Sequence, residues 1–270
     1  MLAEYLMNVR QKTPLVHAIT NYVTVNDCAN ALLACGASPI MADDADEVEE
    51  ITALCAATVI NIGTLNQRTL TSMQLAANKA NQLGHALVFD PVGVGASRLR
   101  TQTAEKLLQD NHFTVIRGNA SEIKTLALGK GSTQGVDASI LDTITEETLS
   151  ETLPFIHDFS KRTKSIIVVS GALDIVADAE HSYIIKNGHQ LMTKITGSGC
   201  ISTCLIAAYL AANPQEPLLA AAAAVVLMGL AGETAVKISH GTGSLRSNIL
   251  DALSYIDGEQ LEVGAKIVKI

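Results

Sequence analysis

The chain has 270 residues, 48% of them hydrophobic and none of them tryptophan, and its formal net charge is −8. This length approaches the upper limit for one hydrophobic core, so the sequence predicts a single domain over residues 1–270. The negative charge, without a basic run or an aromatic stacking surface, argues against nucleic acid as a partner. A negatively charged substrate would therefore need local lysine or arginine side chains, or a divalent cation.

The cysteine pattern indicates a reduced, cytoplasmic protein. The five cysteines are an odd number and form no Cys-x-x-Cys pair, which argues against a disulfide framework and a zinc site. Residues Met1 to Lys12 predict an amphipathic helix and not a signal peptide, because no basic segment precedes an apolar one. The longest apolar run, Leu218 to Gly232, is shorter than the roughly 20 residues that a membrane span needs. It predicts a buried helix and no membrane partner.

Short apolar strands alternate with helices through the first half of the chain. Gly36 and Gly84 directly follow two of these helices, and glycine commonly ends a helix. The alternation is typical of βαβ units and predicts an α/β fold, with a mostly parallel sheet that carries helices on both faces. The predicted strands are Leu15–Ile19, Ser38–Ala42, Thr58–Ile62, His85–Phe89 and Thr114–Ile116, and the predicted helices are Val25–Cys35 and Thr69–Leu83.

The second half predicts a mixed sheet. A stretch rich in Gly, Ser and Thr, Gly129–Ser139, predicts a surface loop. The strand Ile166–Val169 ends in Ser170-Gly171, and the two short strands that follow it alternate about a turn, which predicts an antiparallel edge. Those strands are Asp174–Ala177 and Tyr183–Ile185, and the predicted helices are Glu146–Lys161, Cys200–Ala212, Leu218–Ile238 and Ser244–Tyr255.

The functional hypothesis depends most on the segment Thr196-Gly197-Ser198-Gly199-Cys200. A polar, β-rich run, Tyr183 to Thr193, precedes it and predicts a strand-to-helix turn. Glycine lets the backbone approach a ligand closely, and the free N–H groups of a first helical turn attract an anion such as a phosphoryl group in transit. The thiol pKa of Cys200 is expected to fall there below its free value of about 8.5. Gly-x-Gly alone is more typical of a plain turn with a small buried cysteine.

Acidic side chains at predicted strand ends are candidate metal ligands. Asp90 follows the fourth strand and precedes a glycine-rich loop, a place suited to holding Mg²⁺ beside phosphates, although Asp-Pro also initiates turns. Glu122 lies in the helix after the fifth strand, where it fits a metal-linked role as well as a capping-box pair with Asn119. Arg117 is a candidate phosphate contact. The acidic run 43–50 is better explained by a helix first turn and a solvated face.

Two common phosphate-binding motifs are missing from the sequence. It contains no Gly-x-x-x-x-Gly-Lys-Ser/Thr loop, and no Gly-x-Gly-x-x-Gly follows the first strand. The sequence therefore indicates neither a P-loop enzyme nor a nicotinamide-binding Rossmann unit. Any nucleotide would have to bind at the glycine-rich turn and at the strand ends.

Six segments, taken in order, resemble the hydroxyethylthiazole kinase family of thiamine salvage. They extend over nearly the whole chain, which is far more specific than any one of them. The segments are Val16-His17-Ala18-Ile19-Thr20-Asn21-Tyr22-Val23, Ser38-Pro39-Ile40-Met41, Asn61-Ile62-Gly63-Thr64-Leu65, Asp90-Pro91-Val92-Gly93-Val94-Gly95, Arg117-Gly118-Asn119-Ala120-Ser121-Glu122 and Gly197-Ser198-Gly199-Cys200.

The resemblance implies a ribokinase-like fold, a three-layer α/β/α arrangement without a separate lid domain. It also implies transfer of the γ-phosphoryl group of ATP to the hydroxyl of 4-methyl-5-(2-hydroxyethyl)thiazole with Mg²⁺, and a homotrimer with active sites between subunits. Ribokinase-like kinases usually carry aspartate where Cys200 stands, and here the chain agrees with the thiazole kinases. The matching motifs place Arg117 and Ser170 at ATP, Met41 and Gly197 at the thiazole, Asp90 and Glu122 around Mg²⁺, and Cys200 at the substrate hydroxyl.

Other functions remain open from the sequence. Hydroxymethylpyrimidine kinases are the nearest confusable kinases, and a nicotinamide-hydrate dehydratase occurs on the same fold. A phosphorylated thiazole product would separate the kinase from the dehydratase. A non-catalytic nucleotide sensor is a third alternative, against which the combination of Asp90, Glu122 and Cys200 argues. The apolar, alanine-rich composition fits a subunit interface, but it also fits burial within one monomer.

Overall fold

The computed structural model of the chain describes residues 1–129 and 144–270. Within these residues, α-helices and strands alternate along most of the chain. The helices are α1 (Leu2–Lys12), α2 (Val25–Cys35), α3 (Val48–Leu54), α4 (Gln67–Leu83), α5 (Arg98–Asp110), α6 (Ala120–Leu128), α7 (Leu149–Thr163), α8 (Ser198–Ala212), α9 (Pro217–Ile238), α10 (Thr242–Tyr255) and α11 (Gly258–Gly264).

The described strands form one sheet in the order β2-β1-β3-β4-β5-β6-β7-β8-β9. The first six strands run parallel, and the last three are antiparallel to their neighbours. The predicted mixed sheet is therefore confirmed. Parallel neighbours need crossover connections, and most of the helices lie in these connections. The strands are β1 (Leu15–Ile19), β2 (Ser38–Ile40), β3 (Ala57–Asn61), β4 (Ala86–Asp90), β5 (Val115–Asn119), β6 (Ile166–Ser170), β7 (Asp174–Ala177), β8 (Ser182–Ile185) and β9 (Ile267–Lys269).

Two apolar clusters cover the two faces of the sheet. Strand β4 shows the division, because Val88 belongs to one cluster while Leu87 and Phe89 belong to the other. Successive side chains of a strand point to opposite faces, so the clusters lie on opposite sides. The first contains buried residues of α1, α2, α8, α9 and α10, and the second those of α4, α5, α6 and α7. The predicted three-layer α/β/α fold is therefore confirmed.

The segment before the glycine-rich turn differs from the prediction. Strand β8 ends at Ile185, and a 3₁₀ helix, Gln190–Lys194, leads into the turn where a strand was expected. Gly188 has a φ of +127° and redirects the chain, and the ring of His189 accepts a hydrogen bond from the backbone N–H of Leu191. The predicted strand-to-helix turn is therefore wrong in its first part. The predicted loop Gly129–Ser139 lies, after its first residue, outside the described residues.

Helix α9 is the one helix in the described ranges that is long and apolar enough to cross a membrane. In its most apolar window, 78% of the residues are buried inside the protein. It packs between α8 and α10 and contacts β7 and β8. It is therefore the predicted buried helix of the core.

Candidate active site

The carboxyl ends of β3 to β6 meet at one edge of the sheet, where ligands of open α/β sheets bind. The strand register sets Asn61 of β3 beside Asp90 of β4, and Asn119 of β5 beside Ser170 of β6. Helix α8 packs against β3 and β4. Its first turns consequently reach the side chains at these strand ends.

Asp90 is fully buried, and its two carboxylate oxygens differ in their contacts. Its Oδ2 accepts hydrogen bonds from Asn61 Nδ2 and Thr203 Oγ1, each at 2.8 Å, whereas Oδ1 has no hydrogen-bond partner among residues 1–129 and 144–270. Burial raises the pKa of Asp90 to about 6, although the Arg117 guanidinium, with Nη1 3.9 Å from Oδ1, lowers it. A buried carboxylate oxygen without a partner is costly. The Oδ1 atom, which is ion-paired with Arg117 at 3.9 Å, is therefore a candidate ligand for a cation.

Glu122 has a structural contact and also lies near Asp90. The predicted capping box is confirmed: Glu122 N donates to Asn119 Oδ1 at 2.9 Å, and Asn119 N donates to Glu122 Oε2 at 2.8 Å. The other oxygen, Oε1, accepts a hydrogen bond from Gly93 N at 2.8 Å, which ties the loop after β4 to α6. Burial is the main cause of the raised pKa of Asp90, and the charge of Glu122 adds to it. The two carboxylates therefore share one region.

Asp90 and Glu122 fit a Mg²⁺ ion that is also bound by phosphate and water oxygens. They do not fit a metal ion that protein side chains hold alone. In residues 1–129 and 144–270, no group of three or more His, Cys, Asp or Glu side chains could hold a metal ion. Mg²⁺ is usually bound by one or two carboxylates together with phosphate and water oxygens. Asp90, whose Oδ1 has no hydrogen bond in the described part of the chain, and Glu122 supply a donor set of that kind.

The two glycines at the start of α8 make room for neighbouring side chains. Gly197 has a φ of +91°, and a Cβ on it would lie 2.8 Å from Thr24 Cγ2. A Cβ on Gly199 would lie 2.5 Å from Arg117 Nη1. No side chain from the described part of the chain caps this helix start. The N–H groups of the first turn are therefore available to an anion.

Cys200 lies in the first turn of α8 and is partly exposed. Its Sγ accepts hydrogen bonds from Asn21 Nδ2 at 3.2 Å and from Asn61 Nδ2 at 3.3 Å. Burial, and after it the negative charge of Asp90, raises the pKa of the Cys200 thiol above its ordinary value. The lowered pKa expected from the helix start is therefore wrong, because desolvation outweighs the helix dipole here.

A cleft of about 610 Å³ opens beside the turn. Arg117 lies on its wall, where Nη2 donates to Ser170 Oγ at 2.7 Å, so the two residues predicted at ATP touch each other. The cleft is large enough for a nucleotide-sized ligand. Its wall also contains apolar groups from the 3₁₀ helix and from α9, among them Met192, Val225, Met228 and Gly229.

The two residues predicted at the thiazole, Met41 and Gly197, lie outside the wall of this cleft. Met41 follows β2, is half-buried and packs against the same apolar cluster as Cys200. The structure thus gathers Asp90, Glu122 and Cys200 at the strand ends and separates Met41 from the residues predicted at ATP. Arg117 lines the cleft and also reaches Asp90 at the strand ends.

Three polar residues of the site were not identified from the sequence. Asn21 and Asn61 donate to Cys200 Sγ, and Thr203 donates to Asp90. Asn61 ends β3 in register with Asp90, and an asparagine at that point of a predicted strand is the signal that could have indicated it. Asn21 follows β1 in the same way.

This fold, with a nucleotide-sized cleft, an arginine and two carboxylates at the strand ends, defines a ribokinase-like small-molecule kinase. The pyridoxal kinase of Staphylococcus aureus, solved in complex with AMP-PCP, has the same fold: its TM-score is 0.63 at 16% sequence identity, over 95% of this chain and 98% of that one. The model of the hydroxyethylthiazole kinase family matches residues 6–259. The chain belongs to the hydroxyethylthiazole kinase family.

Full-length relatives agree with this assignment. A hydroxyethylthiazole kinase of Clostridium acetobutylicum is 53% identical over 269 residues, which cover 98% of each chain. The structure of a hydroxyethylthiazole kinase protein from Pyrococcus horikoshii OT3 has a TM-score of 0.88 and 36% identity, over 100% of this chain and 98% of that one. The family therefore does not favour a hydroxymethylpyrimidine kinase or a nicotinamide-hydrate dehydratase.

Proposed function

We propose that this protein transfers the γ-phosphoryl group of ATP to the hydroxyl of 4-methyl-5-(2-hydroxyethyl)thiazole, in thiamine salvage. The position of Arg117 carries the proposal. Its guanidinium bonds Ser170 on the cleft wall, lies 3.9 Å from Asp90, and occupies the space that Gly199 leaves open. One cation thus links the cleft, the strand-end acids and the first turn of α8.

In this proposal ATP binds in the cleft. Arg117 and Ser170 bind its phosphates, with Arg117 offsetting negative charge. The Oδ1 atom of Asp90 and the carboxylate of Glu122 would hold Mg²⁺. When bound, Mg²⁺ supplies positive charge that neutralises the phosphate oxygens.

The backbone N–H groups at the start of α8 bind the phosphoryl group while it is transferred. Phosphoryl transfer has a loose transition state, so positioning and charge neutralisation carry most of the catalysis. The N–H groups from Gly197 to Cys200 are suited to bind the oxygens of the moving group. The substrate hydroxyl oxygen forms the new bond to phosphorus, while the bond from phosphorus to the bridging oxygen of ADP breaks.

Cys200 orients the substrate hydroxyl and accepts its proton late in the reaction. Burial raises the pKa of the thiol, so only a minor fraction is ionised before the substrates bind. A strong base is not needed early, because the alcohol loses its proton late in a loose transition state. The proton passes to the thiolate form of Sγ.

The thiazole binds beside the start of α8, near Gly197 and Met41. A small neutral ring needs a mainly apolar pocket with a few polar contacts. Met41 is half-buried against the apolar cluster and can supply such a surface. The left-handed backbone of Gly197 allows close approach, since a side chain there would meet Thr24.

An ATP-dependent assay of several small alcohols, followed by mass spectrometry of the products, tests this function. We expect a phosphorylated hydroxyethylthiazole, with much lower turnover of hydroxymethylpyrimidine and no dehydration of a hydrated nicotinamide cofactor. A chain that binds ATP but phosphorylates no thiazole alcohol would contradict the proposal.

We further propose that the protein is a single-domain, cytoplasmic homotrimer whose active sites lie between subunits. Tyr22 and Val23 support this proposal, because they follow Asn21 directly and are 78% and 55% exposed. Large apolar side chains beside a site are typical of a surface that a partner covers. Light scattering should give a trimeric mass that ATP or thiazole stabilises, and a fully active monomer would contradict it.

A further inference from the structure

Two asparagine side chains converge on the sulfur of Cys200. Asn21 comes from the loop after β1 and Asn61 from the end of β3, and their Nδ2 atoms lie 3.2 Å and 3.3 Å from Sγ. Both asparagines are almost completely buried, at 5% and 1% exposure. Buried amide groups on a partly exposed sulfur are costly to desolvate, so their arrangement calls for a function.

The orientation of both amides is fixed by the backbone. Asn21 Oδ1 accepts a hydrogen bond from Thr24 N at 3.2 Å, and Asn61 Oδ1 accepts one from Gly63 N at 2.9 Å. A backbone N–H can only donate, so in each side chain the oxygen must face the backbone. Each Nδ2 group must therefore face Cys200, and the sulfur accepts from two donors.

The two amides also connect the sulfur with Asp90. Asn21 Nδ2 donates to Asn61 Oδ1 at 3.1 Å, and Asn61 Nδ2 donates to Asp90 Oδ2 at 2.8 Å. This chain of hydrogen bonds sets the sulfur at a defined place relative to the carboxylate. It also places two neutral donors next to Sγ.

We propose that Asn21 and Asn61 are positioning residues for phosphoryl transfer, which hold Cys200 Sγ as a hydrogen-bond acceptor in register with Asp90. The proposal rests on the proposed function of Cys200. Two N–H donors stabilise the sulfur while it carries negative charge and fix its lone pairs, so that the substrate hydroxyl meets it in one orientation. Without them, burial and the nearby carboxylate would both oppose the thiolate.

The variants Asn21→Asp and Asn21→Ser together test the donor. An aspartate oxygen can still accept from Thr24 N, but no N–H then faces the sulfur, and the neutral Asn21→Ser variant separates the lost donor from the added charge. We expect kcat to fall about 10- to 100-fold, the range for loss of a hydrogen bond to a charged group, with a less than threefold change in the KM for thiazole. Asn78→Asp on α4 is the matched control, because Asn78 Oδ1 only accepts from Gln74 and an aspartate keeps that contact.

A double-mutant cycle separates a role through the sulfur from a structural role. In a Cys200→Ala background, Asn21→Asp should cost less than threefold, since the atom that it positions is gone. The rate of Cys200 alkylation by iodoacetamide, followed by peptide mass spectrometry without substrates, should also fall in Asn21→Asp. Asn21→Ser also keeps the proposal testable if the aspartate variant does not fold.

The proposal is overturned if Asn21→Asp or Asn21→Ser keeps normal kcat and a normal rate of alkylation. It is also overturned if the substitution lowers kcat by the same factor with and without the Cys200 thiol. Failure of the proposed function would show differently, as an unmodified chain that does not phosphorylate thiazole. The alkylation rate of Cys200 would still decide whether the two amides act on the sulfur in that case.

Discussion

The two halves of the candidate site are organised in opposite ways. At the strand ends, side-chain hydrogen bonds of 2.8 and 3.3 Å join Asn61 to Asp90 and to Cys200, and Glu122 Oε1 accepts a hydrogen bond from the backbone N–H of Gly93 at 2.8 Å. The cleft beside Arg117 is an open space of about 610 Å³. It stays wide because glycines on its wall carry no side chains. A Cβ on Gly229, for example, would lie 2.6 Å from Asn187 Cβ.

This difference predicts two kinds of variant. In the strand-end half the polar atoms are fixed before any ligand arrives, so removing one should lower turnover more than it weakens binding. In the cleft half a ligand fills space that glycines leave open, so adding a methyl group should weaken nucleotide binding. The predictions that follow test this division, beginning with the largest expected effect.

Asp90→Asn should lower kcat roughly 10³-fold, the upper part of the range for removing one preorganised electrostatic group. The amide oxygen can keep the hydrogen bonds from Asn61 and Thr203, but an Nδ2 group in place of Oδ1 cannot bind a cation. Steady-state kinetics at several Mg²⁺ concentrations measure the effect. Glu122→Gln is the companion variant, with a smaller loss.

Asp90→Asn also removes a buried charge. Since this charge then no longer has to be desolvated on folding, we do not expect the free energy of unfolding to fall. A chemical denaturation curve checks that the fold is intact. Near-normal activity of both variants at limiting Mg²⁺ would exclude Asp90 and Glu122 as metal ligands, and would leave Glu122 with its capping-box role alone.

Cys200→Ala should lower kcat by at most about 100-fold, the low end of the range for general-base catalysis. The KM for thiazole should change less than kcat, because the thiol contributes mainly in the transition state. Cys200→Asp should retain activity, since a carboxylate of free pKa about 3.9 is ionised before the substrates bind.

Two results would contradict this role of Cys200. One is a Cys200→Ala protein with no detectable turnover but normal binding of ATP and thiazole, which would make the thiol indispensable. The other is a phosphocysteine trapped during turnover, which would make it a nucleophile. Intact-protein mass spectrometry of a quenched reaction detects the second.

The parallel part of the fold could be predicted because its signals are local. Strand β1 and helix α2 match their predictions residue for residue, since an apolar run and Gly36 mark their limits. Helix α5 was missed because only Ala104 and Leu107 of its 13 residues are buried, which leaves a weak periodic signal. Strand β9 has three residues and is defined by its pairing with β8, which no local pattern indicates.

The sequence indicated candidate site residues but not the contacts between them. The motifs place Arg117 and Ser170 at one ligand, and the structure puts them in contact although they are 53 positions apart. The Asn21 and Asn61 contacts join positions 179 and 139 residues from Cys200, so they depend on how α8 packs over the strand ends. The same packing buries Cys200 and reverses the pKa shift that its place on the helix predicted.

At limiting Mg²⁺, kcat/KM should fall about tenfold between pH 7 and pH 5. The pKa of Asp90 is about 6, so roughly one tenth of this carboxylate is ionised at pH 5. Saturating Mg²⁺ should restore part of the activity, because the cation competes with the proton for Oδ1. If the fall in kcat/KM at low pH does not depend on the Mg²⁺ concentration, the titration of another group causes it.

Protonation of Asp90 does not unfold the protein, so unfolding through this group would not explain the fall in kcat/KM at pH 5. Its folded pKa lies above the unfolded value of 3.8, so the folded state binds the proton more tightly. By linkage, this group adds to the free energy of unfolding as the pH falls through 6, and its contribution is complete below 3.8. Asp174, with a pKa also raised to about 6 by burial, has the same sign. Thermal unfolding at pH 5 and pH 7 measures the difference.

Gly199→Ala should raise the KM for ATP about fivefold, close to the free energy of one net hydrogen bond. The new Cβ would lie 2.5 Å from Arg117 Nη1 and 2.9 Å from Nη2, so the guanidinium must move away from Ser170 and Asp90. Gly243→Ala on α10 is the matched control, because the added methyl group would meet no other part of the described chain within 4 Å beyond its chain neighbours and its own helix backbone. Isothermal titration with a non-hydrolysable ATP analogue measures binding directly. Since Arg117 serves both halves of the site, kcat should also fall slightly, and a variant that loses kcat while binding ATP normally would place Arg117 with the strand-end residues alone.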